Sequence, residues 1–194
     1  MKSGHPLKGK LVGMLMTDGV EQVEYTAPRE FLEQRGATVM LLAPKEKGEH
    51  VQGMNHKDKG DSFTVDQHVR DANPADLDAL VLPGGSANAA KLRQSKEAIE
   101  FIRKFGQEDK PMAAICHGPL VLIDAGLAKA TNLTSAADAA EELRGAGAEW
   151  VDQEVVIADR LVTSRGPKDI PAFNDALAKE LMVSSQVADL GPSS

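Results

Sequence analysis

Lys110-Pro-Met-Ala-Ala-Ile-Cys116-His117-Gly118-Pro119-Leu120 joins a short apolar run to a helical pattern at the only cysteine of the chain. Pro111 to Ile115 has the length and unbroken apolarity of a strand buried on both faces, and Leu120, Val121, Leu122 and Ile123 start a helix almost at once. Cys116 is therefore expected on a sharp strand-to-helix turn. In Ala114-x-Cys116-x-Gly118 the small neighbours let the backbone fold tightly and push the side chain into the open, which is the logic of a nucleophile elbow. A thiol at a helix N-terminus faces unpaired N–H groups, so a lowered pKa and a reactive thiolate are expected. A lone cysteine after a strand is more often a small buried hydrophobe, but the elbow spacing and the adjacent His117 favour function.

Working outward, strand-like runs at Lys10 to Met16, Ala37 to Ala43 and Ala79 to Leu82 alternate with helical patterns at Val23 to Arg35, Lys91 to Glu108, Asp138 to Ala146 and Ile170 to Val183. This alternation predicts an α/β fold, a mostly parallel sheet with helices on both faces. Pro44 to Asp66 reads as an excursion, a hairpin outside the main sheet. Val155 to Ala158 and Leu161 to Thr163 read as a second hairpin around Asp159-Arg160, and Thr131 to Ser135 as a short strand. Residues 1–9 are expected to form a flexible lead-in and 184–194 a frayed tail, leaving 10–183 as a single domain. Ligands of open α/β sheets bind beyond the C-terminal strand ends, where Asp18 to Glu24, Pro83 to Ser86 and Cys116 to Pro119 converge. Pro83-Gly84-Gly85 would let the backbone approach a ligand closely, although a plain turn explains it equally well.

The length of 194 residues suits one domain with a sizeable core, and the 4% aromatic content requires that core to be aliphatic. A net charge of -7 argues against general affinity for a nucleic-acid backbone. One cysteine cannot form an intramolecular disulfide, and the apolar runs are far shorter than the roughly 20 residues of a membrane helix; a cytoplasmic protein without a membrane partner is expected. His50, His56 and His68 match no tight metal spacing and are read as solvated, as are Lys57 to Lys59. There is no phosphate-binding glycine loop, dinucleotide fingerprint or cysteine cluster, so neither cofactor nor metal is expected.

Leu-Pro-Gly-Gly at 82–85, Ala-Ile-Cys-His-Gly-Pro at 114–119, Val-Glu-Gln-Val-Glu at 20–24, Gly-Ala-Glu-Trp-Val-Asp at 147–152 and Val-Thr-Ser-Arg-Gly-Pro-Lys-Asp-Ile-Pro-Ala-Phe at 162–173 closely resemble the ThiJ/PfpI superfamily, in its PfpI-like intracellular peptidase and deglycase branch. The resemblance implies a flavodoxin-like three-layer sandwich related to the class I glutamine amidotransferases, of general stress protein type, assembled as a homodimer or a set of dimers. It also implies that Cys116 is the nucleophile and His117 its imidazole partner. Glu21 would lie protonated beside the sulfur, and the backbone N–H groups of Gly85 and His117 would form the oxyanion hole. Without the resemblance, Glu21 reads as a solvated loop acid.

Two departures matter. PfpI-like peptidases take an acid a few residues after Pro-Gly-Gly from a neighbouring subunit to orient the histidine, and the aligned position here is Ala89. The amidotransferases place a histidine well after the elbow, and this chain has none after His117. The resemblance therefore favours a stress-protective, cysteine-dependent hydrolase acting on small reactive carbonyls or their glycated adducts, of deglycase or glyoxalase type. A cysteine peptidase is one alternative, and a non-enzymatic redox sensor or holdase that uses oxidation of Cys116 is another.

Overall fold

The computed structural model describes residues 4–189, without the side chains of 184–189. β1 (Leu11–Leu15) leads through β2 (Val20–Glu21) into α1 (Gln22–Gln34), β3 (Thr38–Ala43), the hairpin β4 (His50–Asn55) and β5 (Asp58–Thr64), and β6 (Gln67–His68). β7 (Ala79–Leu82), α2 (Ser86–Arg93), α3 (Lys96–Phe105), β8 (Met112–Ile115) and α4 (Leu120–Asp124) follow. The chain continues with β9 (Asn132–Leu133), α5 (Ala140–Gly145), β10 (Glu149–Trp150), β11 (Val156–Ala158), β12 (Leu161–Ser164) and α6 (Ile170–Asp189).

The central sheet has the order β11-β12-β8-β7-β1-β3-β6, parallel except for the edge pair β11 and β12. Successive strand residues point to opposite faces, and both faces are covered. Val12, Met14, Val39, Leu41, Val81 and Ile115 share one core with Leu177 and Leu181 of α6, whereas Leu15, Leu42, Leu80, Leu82 and Ala114 share another with Ile102, Phe105 and Leu122. Continuous apolar runs are what a doubly covered sheet requires, and the result is the expected flavodoxin-like three-layer arrangement.

The structure corrects several boundaries. The helix expected over Lys91 to Glu108 is two helices, because Ser95 Oγ accepts the Ala98 N–H at 3.2 Å and restarts the chain as α3. The lead-in is anchored where it is described: Leu7 is wholly buried, and its N–H donates to the Arg35 carbonyl at 2.9 Å. Helix α6 continues past Val183 to Asp189, in place of the start of a frayed tail; the expectations for residues 1–3 and 190–194 lie outside the described residues. Pro44 to Asp66 does hold a hairpin, attached to the main body by the parallel pairing of β2 with β4. His68 is buried, not solvated: its Nδ1 accepts the Arg70 N–H and caps a 3-10 turn. Among the described residues no helix is long and apolar enough to cross a membrane, and no cluster of three His, Cys, Asp or Glu could hold a metal.

Candidate active site

The ends of β1, β7, β8 and β12 open onto one edge, and the loops that leave them build the site. Cys116 follows β8 with φ +62°, a left-handed conformation that costs a side-chain-bearing residue energy and is held by its surroundings. Its N–H donates to the Ser164 carbonyl of β12 at 3.0 Å, its carbonyl accepts the Ala136 N–H at 2.8 Å, and Gly118 N–H closes the turn onto Ile115. A Cβ at Gly118 would lie 2.5 Å from the Leu82 carbonyl oxygen, so only glycine fits this crossing. The elbow read from the small-x-Cys-x-Gly spacing is therefore present.

The backbone N–H groups of His117 and Gly85 lie near enough to the Cys116 sulfur to favour its thiolate, against the stronger effect of burial. Gly85 adopts φ +98°, a left-handed conformation that glycine takes without strain. Its loop is clamped by the buried Asn88: Oδ1 accepts the Thr17 N–H at 2.7 Å, while Nδ2 donates to the Pro83 and Gly84 carbonyls, each at 3.1 Å. Both loops thus bring a peptide N–H to the neighbourhood of the sulfur.

The acid beside the sulfur is Glu24, not Glu21. Glu21 ends β2, and its carboxylate accepts the His56 N–H at 3.2 and 3.3 Å on the hairpin side. One turn into α1, Glu24 is fully buried; its Oε1 accepts the Gly84 N–H at 3.0 Å. Oε2 has no partner at hydrogen-bond geometry, yet Glu24 lies close enough to Cys116 for each group to shift the other's proton affinity. Burial, reinforced by the charge of Glu21, pushes the Glu24 carboxyl up to about 8, so it is protonated at neutral pH. Burial together with an ionised Glu24 pushes the Cys116 thiol up to about 12. Both groups therefore hold their protons in the neutral range, and the pair carries no negative charge there. The simple lowering expected from a helix N-terminus does not hold, because α4 is a short helix and the sulfur is buried against a carboxyl group.

His117 Nδ1 lies 3.3 Å from Cys116 Sγ. Its Nε2 lies 2.9 and 3.0 Å from the two carboxylate oxygens of Asp138, in the 3-10 turn Ala137–Ala139 before α5. In the sequence Asp138 reads as the start of a helix, the commonest role of such a residue, and nothing in its spacing points to His117. Ala89, the position aligned with the family's acid, is fully buried in the apolar core.

A cavity of about 340 Å³ opens over the sulfur, lined by Cys116, His117, Gly85 and Ser86 on one side and by Glu21, Met54, His56 and Lys57 of the hairpin region on the other. His56 and Lys57 are exposed, in keeping with their solvated reading, but they also form part of this wall. Arg165 ties down the loop after β12, binding Asp169 and Asp152.

The DJ-1/PfpI family model matches residues 10–180. The chain belongs to that family. Protein/nucleic acid deglycase 2 of Escherichia coli is 40% identical over 167 residues, which cover 85% of this chain and 94% of that one. Two Bacillus subtilis relatives, YraA, named as a candidate cysteine protease, and General stress protein 18, are 38% and 39% identical over 85% and 86% of this chain and 94% of each relative. The fold matches a crystal structure of a two-domain Anabaena variabilis protein with DJ-1/ThiJ/PfpI-like and ferritin-like domains. That match has a TM-score of 0.83 at 30% identity over 89% of this chain, which spans 48% of the two-domain protein. This DJ-1/PfpI chain therefore presents a cysteine and an imidazole at one cavity, with the buried Glu24 carboxyl beside the sulfur.

Proposed function

We propose that this family member is a stress-protective, cysteine-dependent enzyme acting on small reactive dicarbonyls or on the adducts they form with amines. The observation that carries the reading is an imidazole nitrogen 3.3 Å from a sulfur that opens into a cavity of about 340 Å³, with the Gly85 and His117 peptide groups nearby. As the sulfur–carbon bond forms, the carbonyl π pair moves to oxygen and the thiol proton passes to Nδ1 of His117. Gly85 and His117 N–H groups stabilise the developing oxyanion, the large electrostatic contribution in such chemistry. With methylglyoxal, the hydrogen on the resulting hemithioacetal carbon leaves as a proton and a proton returns to the neighbouring carbon. The first carbon is thereby oxidised to a thioester while the ketone is reduced to an alcohol. Water then releases lactate and regenerates the thiol, so the net reaction is methylglyoxal plus water giving lactate. Names of relatives in the deglycase and general stress groups support the substrate class.

The test is lactate formation from methylglyoxal by the wild-type chain and Cys116→Ser. Turnover in the wild type and none in the variant is expected; equal turnover would remove the reading. A second reading, peptide hydrolysis through an acyl-enzyme, is favoured by the Asp138 carboxylate on His117, which supplies what Ala89 lacks. Short fluorogenic peptides in the same assay separate the two, and only cleavage lost in Cys116→Ser counts.

A further inference from the structure

We propose that Asp138 is the positioning residue for His117 and acts within its own chain, so that the nucleophile, its base and the carboxylate behind the base all come from one protomer. The inference rests on the nucleophilic reading of Cys116 and extends it to how the site is assembled. Nε2 of His117 meets both oxygens of Asp138 while Nδ1 meets the sulfur. A carboxylate on Nε2 fixes the tautomer with its proton there, leaving the Nδ1 lone pair free for the thiol proton, and then faces the imidazolium that forms.

The turn that carries Asp138 is tied to the elbow. Ala136 N–H donates to the carbonyl of Cys116 itself at 2.8 Å. Thr134 N–H donates to Thr163 Oγ1 at 3.0 Å, next to Ser164, which accepts the Cys116 N–H. Trp150 Nε1–H donates to Ser135 Oγ at 2.9 Å, and Arg144 covers the indole ring 4.7 Å from its centroid. Asp138 is thus presented by a braced loop although its side chain is 74% exposed. The buried, apolar Ala89 offers no carboxylate to a neighbouring copy. A partner subunit is therefore unnecessary for the chemistry, whatever the assembly.

The experiment uses the full chain. Asp138→Ala is expected to lower kcat for methylglyoxal by roughly 100-fold, the size of a general-base contribution, with KM little changed; Asp138→Glu is expected to restore much of it. ¹⁵N spectra of the His117 ring are expected to show the Nε2–H tautomer in the wild type and a mixture in Asp138→Ala, a readout that needs no turnover. Cys116→Ser and Asp138→Ala, produced together with different tags and purified as mixed assemblies, are expected to show no activity beyond the sum of the separate variants. Activity regained in the mixture would place the carboxylate in trans and overturn the proposal. So would wild-type kcat and an unchanged tautomer in Asp138→Ala. Turnover that survives in Cys116→Ser would instead remove the nucleophilic reading, while the ring spectra would still test the contact.

Discussion

Glu24 shows how one buried side chain links chemistry to stability. In the unfolded chain its carboxyl ionises at an ordinary value near 4.5, whereas the folded protein retains the proton up to about 8. The folded state therefore binds more protons across that window, and its stability falls as pH rises through it, the penalty being absent below 4.5 and complete above 8. Glu24→Gln cannot titrate, so its urea unfolding free energy is expected to be flat where the wild type declines. Within that window the variant should gain on the wild type by about 1.4 kcal/mol for each step of one in pH, reaching a few kcal/mol under alkaline conditions. Parallel slopes for the two proteins would show that Glu24 does not titrate in this way. The position of Glu24 is legible in the sequence, because counting back from Leu32 in helical steps gives Pro28 and then Glu24, all three buried on one stripe. The resemblance points instead to Glu21, which lies one turn too early and faces the hairpin.

At the scale of elements, the elbow depends on how closely two loops cross. A methyl group at Gly118 would be 2.5 Å from the Leu82 carbonyl and 2.9 Å from that of Ile115. Gly118→Ala is therefore expected to destabilise the fold by about 1–3 kcal/mol and to displace the sulfur, read as a lower urea midpoint together with slower modification of Cys116. Unchanged values would mean that the loops can part without cost. The strands are legible because each is an apolar run covered on both faces. The α2 and α3 break is hidden by apolar periodicity that runs through it, with Leu92, Ile99 and Ile102 reading as one helix although Ser95 is a good cap. Asp138 is not legible at all: its contact with His117 depends on how the chain returns after β9, which no local pattern encodes.

Across the whole molecule, Leu7 shows that the domain begins before its first strand. It is wholly buried in the core beneath α1 and α6, where polar neighbours and Gly4, Pro6 and Gly9 suggest a loose lead-in. Leu7→Ala is expected to cost about 2–5 kcal/mol in urea unfolding; a loss no larger than that of a surface substitution would return the segment to a mere leader. The hairpin of β4 and β5 is tied in as well: Val20 pairs with Gly53 and Glu21 with Met54, Val51 is wholly buried in the core, and Phe63 meets Tyr25 edge-on at 4.8 Å, while the tip at His56 and Lys57 walls the cavity. Reactivity and admission are thus written in separate parts of the chain, one in the elbow and the other at the hairpin tip around His56 and Lys57. A library confined to that exposed tip would retune which molecules reach the sulfur while leaving Cys116, His117 and Glu24 in place.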